Sequence, residues 1–269
     1  MNIQVHINIK SISIKDRAFN YGDGLFETIH VKNGKPLFIT DHIKRLNAGC
    51  NKLRIPIVPS KLIKDSIDQS ILNSKECIIK IIYSRGLSEH GYQFNKNIIP
   101  QLYVIKKKIS KVKNKLFISL GYSQYQLQNN SYLSKIKHLN RIEQILGATI
   151  KDKTNDDEYI LLDNDKKIIE CISSNIFFYT FKKNKFCFLT PRLIKCGVDG
   201  IMKEQIIKHL RRRKIKILEK DILKKDIIKF DGCFICNVVK GVRFIENINK
   251  KRINHSLEVE KLLERYIYE

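Results

Sequence analysis

The chain has 269 residues and a mass of 31.6 kDa, and 51 Lys and Arg against 27 Asp and Glu give a formal net charge of +24. Hydrophobic residues make up 43% of the chain, which excludes intrinsic disorder, and 12 Gly with 5 Pro exclude a collagen-like sequence. No apolar run approaches the ~20 residues that span a bilayer, and residues 1–10 lack an apolar stretch of signal-peptide length.

The seven cysteines indicate a reducing compartment. Their odd number and wide spacing are not typical of a secreted disulfide framework. Cys233 and Cys236 have the spacing of a zinc or redox half-site, but no second pair completes it, and Phe234 and Ile235 between them favour a buried strand. We therefore expect a cytoplasmic protein with no metal site.

The positive charge is interpreted mainly as a feature of composition. Lys and Ile together fill 84 of the 269 positions, as drift toward A/T-rich codons would produce. The lysines are spread along the chain, whereas a nucleic-acid-binding protein usually clusters basic residues among aromatic ones. A non-catalytic, basic nucleic-acid-binding protein is thus a distant alternative, and a positive field that attracts anionic substrates is the milder consequence.

Residues 1–108 are predicted to form a small domain of mixed strands and helices. Asn33-Gly34 lies between two apolar segments and is a strong hairpin signal. Thr40 or Asp41 is the candidate N-cap of the helix that follows. The predicted elements are strands at 25–31 and 36–39, helices at about 42–54 and 60–73, and strands at 77–83 and 101–106.

The polar, lysine-rich segment 109–114 is predicted to link this domain to a larger one at 115–269. Most strands of the second domain follow other strands rather than alternating with helices, which favours an α+β fold over a doubly wound sheet. The predicted strands are 115–121, 158–163, 167–171, 175–180, 186–189, 214–218, 233–238 and 242–246, and the predicted helices are about 139–150, 199–213, 221–229 and 255–267.

The chain lacks the phosphate loops, zinc-protease helix and nucleophile elbow that would name a reaction directly. Several short, unusual segments are present instead. They are Tyr-Gly-Asp-Gly at 21–24, His-Ile-Lys-Arg-Leu at 42–46, Ser-Arg-Gly at 84–86, Lys-His-Leu-Asn-Arg at 137–141, Glu-Cys-Ile-Ser-Ser-Asn at 170–175, Thr-Pro-Arg at 190–192 and Gly-Val-Asp-Gly-Ile at 197–201.

In this order, over about residues 13–245, these segments resemble the fold-type IV pyridoxal-phosphate enzymes of the class IV aminotransferase family. Within that family the chain is most similar to the aminodeoxychorismate lyases, on the segments at 136–144, 84–92 and 190–202. The resemblance implies an α+β, two-domain fold like that of D-amino-acid aminotransferase, with a small N-terminal α/β sandwich and a larger C-terminal pseudo-barrel. It also implies a homodimer.

The resemblance assigns two residues to the reactive part of pyridoxal 5′-phosphate (PLP). The aldehyde of the cofactor needs a lysine to hold it as a Schiff base and then to act as a base, and Lys137 matches that lysine. The pyridine nitrogen needs a buried acid to keep it protonated, and Glu170 matches it. Glu170 follows Ile168 and Ile169 at a predicted strand end, which is an unusual place for an unpaired acid.

Four residues are expected at the cofactor phosphate. Arg45 matches a family arginine that binds it. The turn at 197–200 opens a predicted helix, so the resemblance places the phosphate at the backbone N–H groups of Val198 and Asp199. The side chain of Asp199 would crowd an anion, so we expect it to point away and cap the helix. Asn237 matches a further contact.

Substrate contacts are expected from a loop. Tyr92 matches a lyase position in a loop that overhangs the site, often from the partner subunit in this family. Arg85 could anchor a carboxylate or simply brace the loop. The segment Leu87–His90 departs from the glycine-rich version common in lyases, and Phe26 replaces the tyrosine of D-amino-acid aminotransferases.

By resemblance, the activity is that of a PLP-dependent carbon–oxygen lyase that converts 4-amino-4-deoxychorismate to 4-aminobenzoate and pyruvate in folate biosynthesis. The alternative within the fold is a class IV aminotransferase that acts on branched-chain or D-amino acids. We expect no nucleic-acid or membrane partner for either the lyase or the aminotransferase.

Overall fold

The computed structural model describes residues 2–109, 115–149 and 155–268. The chain divides into two compact units, Met1–Lys111 with Ile136–Asn140, and Val112–Lys135 with Arg141–Glu269. Segment Ile136–Asn140 therefore groups with the first unit, although the sequence prediction assigned all of 115–269 to one domain. Residues 110–114 of the predicted linker lie outside the described residues.

The first unit contains a five-stranded sheet in the part of the chain that is described, with strand order β1-β5-β4-β2-β3. Only β1 and β5 pair in parallel among these strands. The elements are β1 Gln4–Ile7, α1 Arg17–Tyr21, β2 Gly24–Lys32, β3 Lys35–Pro36, α2 Ile39–Leu53, α3 Ser60–Ile71, β4 Cys77–Ser84 and β5 Gln101–Lys107.

The hairpin prediction is confirmed, because β2 and β3 pair around Asn33 and Gly34, which both have positive φ. The predicted N-cap of α2 is wrong. The helix begins at Ile39 after a left-handed Phe38, so Thr40 and Asp41 lie within its first turn and no side chain caps it. The short strand β3 ends at Pro36, which lets the chain enter the helix earlier than expected.

The second unit contains a nine-stranded sheet within the described ranges, with order β11-β10-β9-β12-β13-β6-β7-β8 and β14 on β13. Its strands are β6 Phe117–Leu127, β7 Glu158–Asp163, β8 Ile168–Cys171, β9 Asn175–Lys182, β10 Lys185–Pro191, β11 Lys216–Lys220, β12 Gly232–Asn237, β13 Gly241–Ile248 and β14 Lys251–Arg252. Its helices are α4 Ile142–Ala148, α5 Ile201–Arg212 and α6 Leu257–Leu263, with 3₁₀ helices at Lys224–Lys229 and Glu264–Tyr266.

The main core cluster of this unit is formed largely by side chains on β6, β7, β8, β9, β12 and β13, most of them aliphatic. Cys233 and Cys236 are free, buried members of β12, so the expectation of a buried strand is confirmed. The helix predicted at 221–229 is wrong: only a 3₁₀ segment forms, with Asp226 Oδ2 accepting the Leu223 N–H. No helix formed by the described residues is long and apolar enough to cross a membrane.

Candidate active site

The candidate residues divide between the two units. Arg45, Arg85, Tyr92 and Lys137 belong to the first unit, whereas Glu170, Val198, Asp199 and Asn237 belong to the second.

The segment that carries Lys137 is held against β2 by backbone hydrogen bonds. The Phe26 N–H donates to the Lys137 carbonyl oxygen at 2.9 Å, and the Leu139 N–H donates to the Gly24 carbonyl oxygen at 3.0 Å. At Gly24, a Cβ atom would lie 2.5 Å from the Tyr83 carbonyl oxygen and 2.9 Å from Leu139 Cδ1. Glycine is therefore required here because a strand and the lysine segment both approach its backbone closely.

The amine of Lys137 lies over an aromatic ring. Its Nζ is 4.2 Å from the centroid of the Phe26 ring, and the residue is half-buried. The segments at 21–24 and 137–140, which are far apart in the sequence, thus contact each other within the first unit. The Asn140 side chain completes this contact by donating to the Gly22 carbonyl oxygen at 3.1 Å.

Arg45 is engaged by a buried acid that the sequence analysis did not assign. Its Nε and Nη2 donate to the Glu27 carboxylate at 2.8 and 2.5 Å, and His42 Nδ1 lies 2.7 Å from the same carboxylate. Burial alone would raise the pKa of Glu27, but the charge and hydrogen bonds of Arg45 and His42 lower it to about 2. The phosphate role predicted for Arg45 remains a prediction, since these two donors bond Glu27 here.

One signal could have identified Glu27. It occupies an alternate position of β2 with Leu25 and Ile29, whose side chains are buried. An acid at an inward position of a strand requires a cationic partner.

Arg85 braces the fold. Its Nε and Nη2 donate to Asp23 at 2.7 and 3.0 Å, and its remaining bonds go to the carbonyl oxygens of Leu53 and Arg54 at 2.8 and 3.1 Å. Of the two roles left open from sequence, these contacts match the brace, and the role of carboxylate anchor remains a prediction. Asp23 also accepts from Arg17 Nε at 2.8 Å.

The loop that carries Tyr92 is held by Arg17, a residue to which the sequence analysis gave no role. Arg17 is 4% exposed and donates to the carbonyl oxygens of Gly91, Tyr92 and Gln93 at 2.8, 3.1 and 3.2 Å. The side chain of Tyr92 is 88% exposed. The loop backbone is therefore fixed while the phenol remains on the surface.

In the second unit, Glu170 and Val198 are brought together. The Val198 N–H donates to Glu170 Oε2 at 2.8 Å, and Glu170 is 5% exposed. Gly197 precedes this bond with φ +91°, a backbone conformation that glycine adopts at low cost. Asn175 supports the turn by donating to the Val198 carbonyl oxygen at 2.9 Å. The strand-end acid is thus buried and oriented by this turn.

Asp199 does not cap the helix, so that prediction is wrong. Helix α5 begins after Gly200 with no side-chain cap, and the Asp199 carboxylate bonds the buried Lys203 ammonium at 3.0 Å. Lys203 also bonds Glu219 at 3.0 Å, so its ammonium forms ion pairs with both acids. The Asp199 N–H donates to the Lys135 carbonyl oxygen at 3.2 Å.

Asn237 organises the turn after β12. Its Oδ1 accepts from the Val239 and Lys240 N–H groups at 3.0 and 2.7 Å, and its Nδ2 donates to the Ser173 carbonyl oxygen and Ser174 Oγ at 3.2 and 3.0 Å. These bonds join the turn at 238–240 to the serines that follow Glu170 along the chain.

Comparisons with known proteins agree on one family. The family described as Amino-transferase class IV matches residues 24–248. Aminodeoxychorismate lyase of Vibrio harveyi is 26% identical over 264 residues, covering 94% of this chain and 93% of that protein. D-alanine aminotransferase of Bacillus licheniformis is 22% identical over 249 residues, covering 90% of this chain and 85% of that protein. The crystal structure of 4-amino-4-deoxychorismate lyase from Pseudomonas aeruginosa matches with a TM-score of 0.88 at 23% identity, covering 96% and 94% of the two chains.

Proposed function

Because the chain belongs to the class IV amino-transferase family, we propose that it is a 4-amino-4-deoxychorismate lyase, which forms 4-aminobenzoate and pyruvate for folate biosynthesis. The predicted family resemblance and the α+β fold of type IV are confirmed. The cofactor of this family is PLP. A homodimer, which the resemblance implies, and a cytoplasmic location, which the cysteine pattern favours, are part of the proposal.

The donor set of the chain fits the chemistry of PLP. An aldehyde needs an amine, and Lys137 offers one that is half-buried against Phe26. A pyridinium nitrogen needs a carboxylate shielded from water, and Glu170 is buried and oriented by the Val198 N–H. When bound, PLP supplies an electron sink for a carbanion next to the substrate amine.

We propose that Arg45, Val198, Asp199 and Asn237 hold the phosphate. Arg45 brings a guanidinium, and the turn before α5 brings backbone N–H groups. Each of these donors bonds a protein acceptor in this structure, so phosphate would share the donor with that acceptor.

The observation that carries the choice of lyase over D-amino-acid aminotransferase is the ring beneath the lysine amine. Phe26 lies 4.2 Å from Lys137 Nζ and has no hydroxyl group, whereas the resemblance gives those aminotransferases a tyrosine at this position. The lyase of Vibrio harveyi also aligns with nearly the full length of the chain. Both observations support the lyase.

The residues of this chain then have defined tasks in the proposed reaction. The Lys137 amine removes the proton from C4 of the substrate ring, and the C3–O bond breaks to release the enolpyruvyl group, which takes up a proton to become pyruvate. The ring becomes aromatic, which favours the forward direction. The protein must chiefly hold the C4–H bond in the reactive orientation.

The test is release of pyruvate from 4-amino-4-deoxychorismate by the PLP-loaded protein with no 2-oxo acid added. A lyase forms pyruvate and 4-aminobenzoate in equal amounts. Turnover only of a branched-chain or D-amino acid, and only with a 2-oxo acid as acceptor, would overturn the lyase and establish the aminotransferase alternative.

A further inference from the structure

One face of the first unit's sheet carries Thr28 and Lys80 beside the ring of Phe26. Thr28 on β2 and Lys80 on β4 are directly paired, so their side chains lie on the same face of the sheet. Phe26 lies two residues before Thr28 and shares this face. The opposite face carries Ile29 and Ile81, which are at most 1% exposed. Phe26, Thr28 and Lys80 are half-buried rather than fully buried.

Lys80 shares its aromatic neighbour with Lys137. The Lys80 Nζ lies 5.7 Å from the centroid of the Phe26 ring, and the Lys137 Nζ lies 4.2 Å from the same centroid. Two amines therefore flank one ring within this unit.

Neither Thr28 nor Lys80 has an acceptor among the residues that the structure describes. Among the described residues, the Lys80 ammonium forms no ion pair and no hydrogen bond, and the Thr28 hydroxyl forms no hydrogen bond. Burial, together with the charge of Lys107, lowers the pKa of Lys80. A half-buried cation without a counter-ion is costly for the fold, and such a cost is commonly retained where a ligand supplies the counter-ion.

We propose that Lys80 and Thr28 form a carboxylate-binding subsite next to Lys137. The ammonium supplies the charge and the hydroxyl supplies a second donor, which together match one carboxylate. This inference rests on the proposed function, since its substrate carries one carboxylate on the ring and a second on the enolpyruvyl group. The subsite takes one of them and so orients the ring relative to the Lys137 amine.

The test compares Lys80→Met, Lys80→Arg and Thr28→Val with Lys35→Met, which removes the same charge from an exposed position of the same sheet. Lys80→Met is expected to raise KM for 4-amino-4-deoxychorismate about 10- to 100-fold, as loss of a charged hydrogen bond does, and to leave kcat within about threefold. Thr28→Val is expected to raise KM about fivefold. Lys80→Arg should restore most of the affinity, and Lys35→Met should match the parent.

A second measurement separates this inference from the proposed function. Chorismate carries both carboxylates but no amine, so its binding can be measured by calorimetry whether or not the lyase reaction occurs. Weaker chorismate binding in Lys80→Met, with the near-visible PLP band intact, supports the subsite even if the parent protein releases no pyruvate. A KM and a chorismate Kd within twofold of the parent values would overturn it.

Discussion

The backbone N–H of Phe26 donates to the carbonyl oxygen of Lys137, so the residue that lies beneath the lysine amine also fixes the lysine backbone. A single strand thus sets both the position of the lysine and the surface that its amine meets. The segment at 137–140 acts as an addition to β2, and the glycines at 22 and 24 let it approach.

Replacement of Gly24 by alanine should disturb this arrangement. The new Cβ would lie 2.5 Å from the Tyr83 carbonyl oxygen, so either β4 or the lysine segment must shift. We expect a loss of about 1–3 kcal/mol in the free energy of unfolding, as overpacking costs, and a weakened near-visible PLP band. Gly91→Ala is the control, because a Cβ there meets nothing within 4 Å. Equal effects of the two variants would contradict the close approach.

Glu27 should give the protein a distinct acid sensitivity. Its pKa is about 2 in the folded protein against an ordinary value of 4.5, so its ionised form favours folding. This stabilisation is complete above the ordinary value and is lost as the pH falls toward 2. Glu27→Gln should cost about 3–5 kcal/mol at neutral pH, because Arg45 and His42 lose the negative charge and one of the two oxygens that accept from them.

Urea unfolding at pH 7 and pH 3 measures this effect. The difference in stability between parent and Glu27→Gln should be smaller at pH 3 than at pH 7. A difference that is constant across this range would show that the charge of Glu27 contributes nothing to stability.

Arg85→Met should affect stability more than substrate affinity. The guanidinium bonds Asp23 and two backbone carbonyl groups, so its loss should cost about 2–4 kcal/mol. The KM of the folded variant should stay within about twofold of the parent value. Thermal unfolding and steady-state kinetics measure the two effects, with the exposed Arg252→Met as control. A large rise in KM with an unchanged Tm would instead make Arg85 a carboxylate anchor.

Lys203→Met should destabilise the start of α5. Lys203 is 1% exposed and lies between Asp199 and Glu219, so its loss leaves two acids close together without their cation. Because both acids are partly exposed and can be solvated, we expect a cost of about 1.5–3 kcal/mol in unfolding free energy, against less than about 0.5 kcal/mol for the exposed Lys216→Met. Equal stability of the two variants in urea would show that the buried cation is not needed.

The sequence predicted the helices and strands better than it predicted the contacts between side chains. Strand 158–163 and the hairpin at 33–34 follow local patterns of apolar residues and turn formers, and the structure confirms both. The helix at 221–229 failed because its apolar residues follow a helical period while the chain tightens into a 3₁₀ turn. Local pattern does not distinguish these two outcomes over six residues.

For the site residues too, the sequence indicated which positions matter but not which side chains they contact. Motif position singled out Arg45, Arg85 and Asp199, but the partners of these side chains, Glu27, Asp23 and Lys203, come from other elements. Arg45–Glu27 and Arg85–Asp23 pair through tertiary contacts that no local spacing encodes, whereas Lys203 lies only four residues after Asp199. The predicted helix cap at Asp199 failed because a lysine one turn later attracts the carboxylate more strongly than the helix end does.

The central claim concerns one amine among the 39 lysines of the chain. Borohydride reduction of the PLP-loaded protein, followed by peptide mass spectrometry, locates the covalently attached pyridoxyl group. We predict one equivalent on the peptide that contains Lys137, and none in Lys137→Ala, whose near-visible band is also lost. Attachment at another lysine of the parent protein, or an unchanged band in Lys137→Ala, would contradict the account.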